Sequence, residues 1–183
     1  DADTPEEQRL LVSEAVAIFE RLYGSEIFGP RIQDHFRNFA LTLIDAGMGA
    51  ALPDLVPLLL PSEFKKTRRA AVRDPFLKEF WGQYEEQGDR ERREMVPYFA
   101  AQFSPFYAEP LMRNVMGQTR RNLRIGPLMD RKGILIANLA KGAIGEANSR
   151  LLGMALVAKL QTAALMRVMK DPEARVPFRL YVD

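Results

Sequence analysis

The chain has 183 residues, a mass of 20.8 kDa and a net charge of +2, with 47% hydrophobic and 27% charged residues. That is ordinary globular usage, long enough for one large domain or a domain plus part of another, and it excludes a disordered chain. There are no cysteines, which excludes disulfides and thiolate metal sites and fits a reducing compartment; the apolar runs GILIANLA and LVPLLL fall short of the roughly 20 residues of a membrane span, and the acidic start DADTPEEQ is no signal peptide.

Charge is unevenly spread. Residues 1–61 carry 4 Arg against 10 Asp and Glu, a net −6, while residues 62–183 carry 22 Lys and Arg against 14 acids, a net +8. One face of such a chain is suited to a polyanion, although solvated helix faces give similar counts.

In chain order, TPEEQRLLVSEAVAIFERLYG opens with Thr4 as N-cap, Pro5 at the first helical position and Glu7 at capping-box spacing. The predicted helix buries Leu11, Ala15, Ile18, Phe19 and Leu22, and Gly24 stops it. A second helix is predicted over 30–46, with Ile32, Phe36, Phe39, Ala40 and Leu43 as its stripe and Gly47 and Gly49 at its end. LPDLVPLLLP reads as a short helix or turn; Ser62 then caps one helix and Asp74 the next. From Asp89 to Gly117 the pattern stays helical, with Pro97, Pro105 and Pro110 expected to kink or divide it.

At about Asn122 the pattern changes. NLRIG is predicted as a short strand, PLMD as a turn, and GILIANL as a strand buried on both faces. GEANSRLLGMALVAKLQTAALMRVMK is predicted as one long helix, apolar almost all round and therefore buried, with polar positions mainly at Asn148, Lys159, Thr162 and Lys170. FRLYVD returns as a strand. Strand, crossover helix and strand make a βαβ unit, which needs further parallel neighbours. The expectation is a segment of a larger protein, cut where a strand closes on Asp183.

GILIANLAKGAIGEANSRLLGMALVAKLQTAALMR, followed by Pro-Phe and LYVD, resembles the stretch leading into the Walker B strand of the HerA/FtsK-like P-loop ATPases, most closely the type IV secretion or conjugative coupling-type DNA-transfer proteins. Upstream, GPRIQDHFRNFALTL and EPLMRNVMGQ resemble the helical region those proteins insert between P-loop and Walker B. The resemblance implies a mainly α chain: an all-α domain over residues 1–121, then a partial RecA-like α/β core over 122–183.

The resemblance further implies a ring-forming, hexameric ATPase that couples hydrolysis to DNA movement. Such a protein is cytoplasmic or sits at the cytoplasmic face of the inner membrane, and works with DNA and with relaxosome or secretion-system proteins. Asp183 takes the Walker B role, holding Mg²⁺ through water beside ATP. No GxxxxGK[ST] occurs in the chain, so this segment alone is expected neither to bind ATP tightly nor to hydrolyse it. Two other readings stay open: a non-catalytic helical adaptor with a degenerate ATPase half, and a HerA-like translocase in repair or defence.

The remaining candidates each carry two readings. Lys141 and Gly142 follow a strand end, where open α/β sheets place ligand loops, or form a plain turn. Arg150 is an arginine finger or an ordinary helix cation. Lys65, Lys66, Arg68, Arg69 and Arg73, then Arg90, Arg92 and Arg93, then Arg120, Arg121 and Arg124 form three basic clusters suited to sequence-nonspecific DNA binding, or solvated faces partly neutralised by Glu91 and Glu94. His35, the only histidine, and Trp81 with Phe76, Phe80 and Tyr84 read as structural. Glu85 and Glu86, adjacent in sequence, do not face one another and suggest no acid-base pair.

Overall fold

The computed structural model describes residues 4–118 and 123–182. The chain is mainly helical and divides into two compact units, Asp1–Arg120 and Arg121–Asp183. Asp183, Arg120 and Arg121 lie outside the described residues, as do the side chains of Glu7, Glu91, Arg92 and Arg93.

The first unit is built on α1 (Pro5–Tyr23) and α2 (Pro30–Asp45), followed by a 3₁₀ turn (Leu52–Asp54), α3 (Leu55–Leu59), α4 (Glu63–Ala70), α5 (Pro75–Glu86), α6 (Asp89–Ala108) and α7 (Pro110–Met116). Local chemistry sets most of these limits. Gly24, Gly47 and Gly49 take positive φ after α1 and α2, a conformation that favours glycine. Ser62 accepts the Lys65 amide at 3.2 Å and Asp74 the Phe76 amide at 2.8 Å, opening α4 and α5. Glu109 does the same for Leu111 and Met112 at the start of α7.

Helix α2 is the hub. Its buried face, Ile32, His35, Phe36, Asn38, Phe39, Thr42 and Leu43, repeats at helical spacing. Phe36 meets Phe19 of α1 at 5.3 Å and stacks on Phe103 of α6 at 5.6 Å. Phe39 meets Trp81 of α5 at 5.6 Å and Phe99 of α6 at 5.5 Å. Each such pair adds about 0.5–1.5 kcal/mol beyond the area it buries. Trp81 and Thr42 bring polar groups into this core that are matched. Trp81 Nε1 donates to Thr42 Oγ1 at 2.9 Å, and Thr42 donates to the Asn38 carbonyl at 2.8 Å.

One expectation for this unit fails and another holds in part. Helix α1 buries Val12, Val16 and Phe19, leaving Leu11 exposed: the run Leu10-Leu11-Val12 offers several stripes, and packing on α2 selects the one that ends on Phe19. Pro97 and Pro105 do not divide α6, which runs unbroken from Asp89 to Ala108. Only Pro110 marks a boundary, at the first turn of α7, where its missing N–H costs nothing.

The second unit contains α8 (Ile125–Asp130), α9 (Lys141–Ile144) and α10 (Glu146–Met166). Among the described residues neither the strand predicted for NLRIG nor the turn predicted for PLMD is formed, and Asn122 lies outside those residues. Residues 125–130 are a helix because Ile125, Leu128 and Met129 share one buried face. Its exit favours glycine at 133, where a Cβ would crowd Leu128, lying 2.6 Å from its Cδ1 and 3.1 Å from its carbonyl oxygen.

Ile125, Met129 and Leu160 form a small core that also gathers Leu135, Leu156, Ala163 and Phe178. Helix α10 is not buried as expected: Leu151 and Leu160 are its buried residues, while Val157, Leu165 and Met166 are exposed. Neither GILIANL nor FRLYVD pairs in a strand ladder among the described residues. They lie outside helices, with Ile134 86%, Ile136 89%, Tyr181 82% and Val182 81% exposed.

Two outcomes test the first unit. Thr42→Val leaves the buried Trp81 N–H without an acceptor and lowers unfolding stability by about 1–3 kcal/mol, read by denaturant titration of the single tryptophan's fluorescence. His35 is buried among Phe39, Phe80 and Tyr84; its Nδ1–H donates to the Arg31 carbonyl at 2.9 Å, and its Nε2 has no partner. Burial lowers its pKa from 6.5, outweighing the Arg31 carbonyl and the Asp34 carboxylate, which act the other way. Below pH 6.5 the unfolded chain therefore takes up a proton that the folded chain resists. Stability is complete above that pH and falls with acid by up to about 1.4 kcal/mol per pH unit, until the folded-state pKa is passed. His35→Gln should show a shallower acid slope between the same pH values.

Candidate functional site

In the first unit the residues with chemistry converge where α3, α4, α5 and α6 meet. The cations of α4 stand at 65, 66, 68 and 69, and a helix that turns about 100° per residue cannot aim all four in one direction. Lys65 and Arg69, four apart, face α5. Lys65 Nζ lies 5.2 Å from the Trp81 ring centre and 5.3 Å from that of Tyr84, and the Arg69 guanidinium lies 5.2 Å from Trp81. Both also meet Glu85, Arg69 through Nη1 and Lys65 at 3.8 Å. These are cations laid on aromatic faces with a carboxylate at their tips.

Arg68 turns the other way and is buried. Its Nη2 donates to the Gly49 carbonyl at 2.8 Å, and its guanidinium lies 5.0 Å from the Phe64 ring centre. Lys66 is exposed and pairs with Glu63 at 2.6 Å. The Arg73 side chain is exposed, while its backbone amide and that of Asp74 donate to Asp45 Oδ2 at 2.6 and 3.1 Å. Arg90, exposed, pairs with Glu94 at 3.2 Å. In the second unit Arg124 is exposed at the N-terminal cap of α8.

Beside these cations runs a groove of about 800 Å³. Leu59, Leu60 and Pro61 line it from the end of α3, Val96 and Pro97 from α6, Glu63, Lys65, Lys66 and Arg69 from α4, and Tyr84 and Glu85 from α5. Arg69 Nε is buried and has no hydrogen-bond partner. Sequence reasoning set Glu85 aside because it was weighed against Glu86 on its own helix; its partners lie on α4. Asp45 was also missed. Nothing local marks a helix-end aspartate as the anchor of a loop 28 residues away.

In the second unit Lys141 opens α9, exposed, with Nζ 3.7 Å from Glu146 Oε1. Gly142 is exposed in the same turn, and a Cβ there would meet nothing within 4 Å. The loop is tied at three points: Asn138 Oδ1 accepts the Ala140 amide at 3.1 Å, Asn148 donates to the Ile144 carbonyl at 2.8 Å, and Ser149 donates to the Leu139 carbonyl at 2.6 Å. Arg150 is exposed on α10. Among the described residues no three or more His, Asp or Glu side chains gather to hold a metal ion, and no helix is long and apolar enough to cross a membrane.

Compared with protein-family models, curated proteins and solved structures, the chain matches none.

The placements separate two arginines that look alike in sequence. Arg68→Ala should lower stability by about 1–3 kcal/mol, because it removes a charge-assisted hydrogen bond and the packing on Phe64. Arg73→Ala should leave the unfolding midpoint unchanged, since the amide bonded to Asp45 survives the substitution. Thermal denaturation of the two variants side by side is the check.

Proposed function

We propose that the second unit is the Walker B side of a RecA-like ATPase core and that the chain works within a DNA-translocating ATPase of the conjugative coupling type. The observation that carries this reading is the one-sided burial of GILIANL. Leu135 packs into the core beneath α10, while Ile134 and Ile136, on the other side of the segment, are bare. In FRLYVD Phe178 joins the same core, and Leu180, Tyr181 and Val182 are exposed. A helix covering one side of an apolar segment, with the other side awaiting neighbours, is half of an α/β layer. In this reading the two segments become strands when the rest of the sheet joins them.

On that basis Asp183, at the end of LYVD, holds Mg²⁺ through water beside the triphosphate of ATP. Lys141 and Gly142, in the tied loop after the first segment, stand on the nucleotide side. Arg150 reaches toward a neighbouring subunit of a hexameric ring. The first unit contacts DNA or the protein that delivers it, and a HerA-like role in repair or defence follows the same chemistry. The exposed cations Arg73 and Arg124 are placed to meet phosphate, as is exposed Lys66 where it gives up Glu63; Arg120 and Arg121 join them by sequence alone.

One observation favours a second reading, a non-catalytic helical adaptor. Lys65, Arg68 and Arg69, three of the cations first read as DNA contacts, are committed to Glu85, to aromatic rings or to a backbone carbonyl.

The two readings part in one set of assays. Residues 1–183 alone should release no phosphate above background. In the motor reading, the same segment joined to a P-loop-bearing region in its native frame hydrolyses ATP, and Asp183→Asn lowers turnover by roughly 10²-fold or more. Hydrolysis by residues 1–183 that Asp183→Asn abolishes would sink the missing-P-loop argument. A native frame with no P-loop leaves the adaptor.

A further inference from the structure

We infer that Asp130 is the latch of a conformational strap: paired with Arg167, it holds the segment that follows α10 against the second unit, and loss of the pair releases that segment. Asp130 is the last residue of α8, and Arg167 caps the C-terminal end of α10. Arg167 Nε lies 3.7 Å from Asp130 Oδ1, while its Nη2 donates to the Val176 carbonyl, nine residues on. One planar guanidinium thus bridges a carboxylate on α8 and the backbone of the strap, a task suited to its fork of donors and not to the point charge of a lysine. Lys170 adds a second cation to Asp130, at Oδ2. The turn between is closed by Arg175, which gives Nε to the Lys170 carbonyl at 3.0 Å and Nη2 to the Val168 carbonyl at 3.1 Å. The strap therefore begins at Val176, and Arg167 is its link to α8.

Past Val176 the strap is lightly held. Phe178 packs against the core of Ile125, Met129 and Leu160, whereas Leu180, Tyr181 and Val182 are exposed. The Arg167 side chain is 13% exposed, so removing the Asp130 charge leaves a guanidinium largely out of water without its counter-ion. The simplest relief is for Arg167 to turn to solvent and drop the Val176 carbonyl. The Asp130 and Lys170 side chains are 37% and 45% exposed, which leaves the latch open to salt and to competing water. A screened ion pair and one aromatic plug form a fastening that opens while α10 stays folded. In the ATPase reading the strap becomes the strand that ends on Asp183, and the latch sets where that strand starts; the latch itself does not rest on that reading.

The test is brief chymotrypsin digestion of the full chain, read by intact mass. Cleavage after exposed Tyr181 is the internal reference, and cleavage after Phe178, which must first leave the core, reports release of the strap. The expected ratio of the second to the first is low in the parent chain and rises about five- to tenfold in Asp130→Asn, with the helical circular dichroism unchanged. Asp130→Glu should restore the low ratio. Arg167→Lys, which keeps the charge and loses the fork, should behave like Asp130→Asn. Should Asp130→Asn fail to fold, the unmutated chain carries the test, because about 1 M salt should raise its ratio two- to threefold or more. Phe178 cut as fast as Tyr181 in the parent chain, a ratio that neither folded variant nor salt moves, or Asp130→Glu behaving like Asp130→Asn would overturn the inference. Loss of the ATPase reading, through a native frame with no P-loop, would change none of these rates.

Discussion

Phe36 and Phe39 of α2 hold the first unit together. Three residues apart on one helix, they point into two adjoining aromatic groups, one with Phe19 and Phe103 and the other with Trp81, Tyr84 and Phe99. Phe99 and Phe103, at 4.8 Å, close the gap between the groups along α6. Helices α1, α5 and α6 therefore all meet α2 at these two side chains, and α1 also meets α6 where Phe19 lies 5.0 Å from Phe103. Aromatic cores of this kind tolerate few polar groups, so each that enters needs a partner. The Trp81–Thr42–Asn38 chain is one answer, and the unpaired Nε2 of His35 is an exception, one that couples stability to acid.

The placement of α5 by this core governs the basic cluster in turn. Once Trp81 and Tyr84 are seated against Phe39, their outer faces form a wall, and α4 lies along it with Lys65 and Arg69. An ammonium or guanidinium over an indole gains attraction while its stem covers apolar surface. Density of Lys and Arg in sequence therefore overstates the charge offered to a polyanion. Glu85, at the far edge of the wall, draws in the same two cations. The groove beyond them inherits a charged side next to apolar walls because α3 ends on Leu59-Leu60-Pro61 just before α4 begins.

Features decided within a few residues were legible in the sequence. Ser62 and Asp74 cap through their own side chains, Gly24 and Gly47 end helices by backbone conformation, and the stripe of α2 holds Ile32, Phe36, Phe39 and Leu43 at unambiguous spacing. Features decided by partners were not. Three consecutive apolar residues at 10–12 left the face of α1 to be chosen by α2. Ile125, Leu128 and Met129 read equally as strand and turn until α10 lies against them. Pro97 within α6 contradicts local propensity, yet the helix continues, because Met95, Phe99 and Phe103 bury on the core from either side of it. In the candidate site, the cations were legible as residues but their directions were not, since Glu85 and Asp45 act on elements distant in sequence.

The second unit poses the reverse case, in which sequence pattern exceeds what local structure satisfies. GILIANL is apolar at consecutive positions, a pattern with no use for a segment covered on one side only. Packing on α10 accounts for Leu135, and Leu139 lies within reach of Gly153, where a Cβ would sit 3.5 Å from Leu139 Cδ1. It leaves Ile134 and Ile136 unexplained. The same holds for α10, whose nearly uniform apolarity exceeds the surface it buries against α8 and the two segments. Unsatisfied apolarity on both the helix and the segments it covers is what a layered α/β arrangement leaves when one layer is considered without its neighbours. The bare side of Ile134 and Ile136, with Leu180, Tyr181 and Val182 exposed at the end of the second segment, therefore supports the ATPase reading only in company with the LYVD motif.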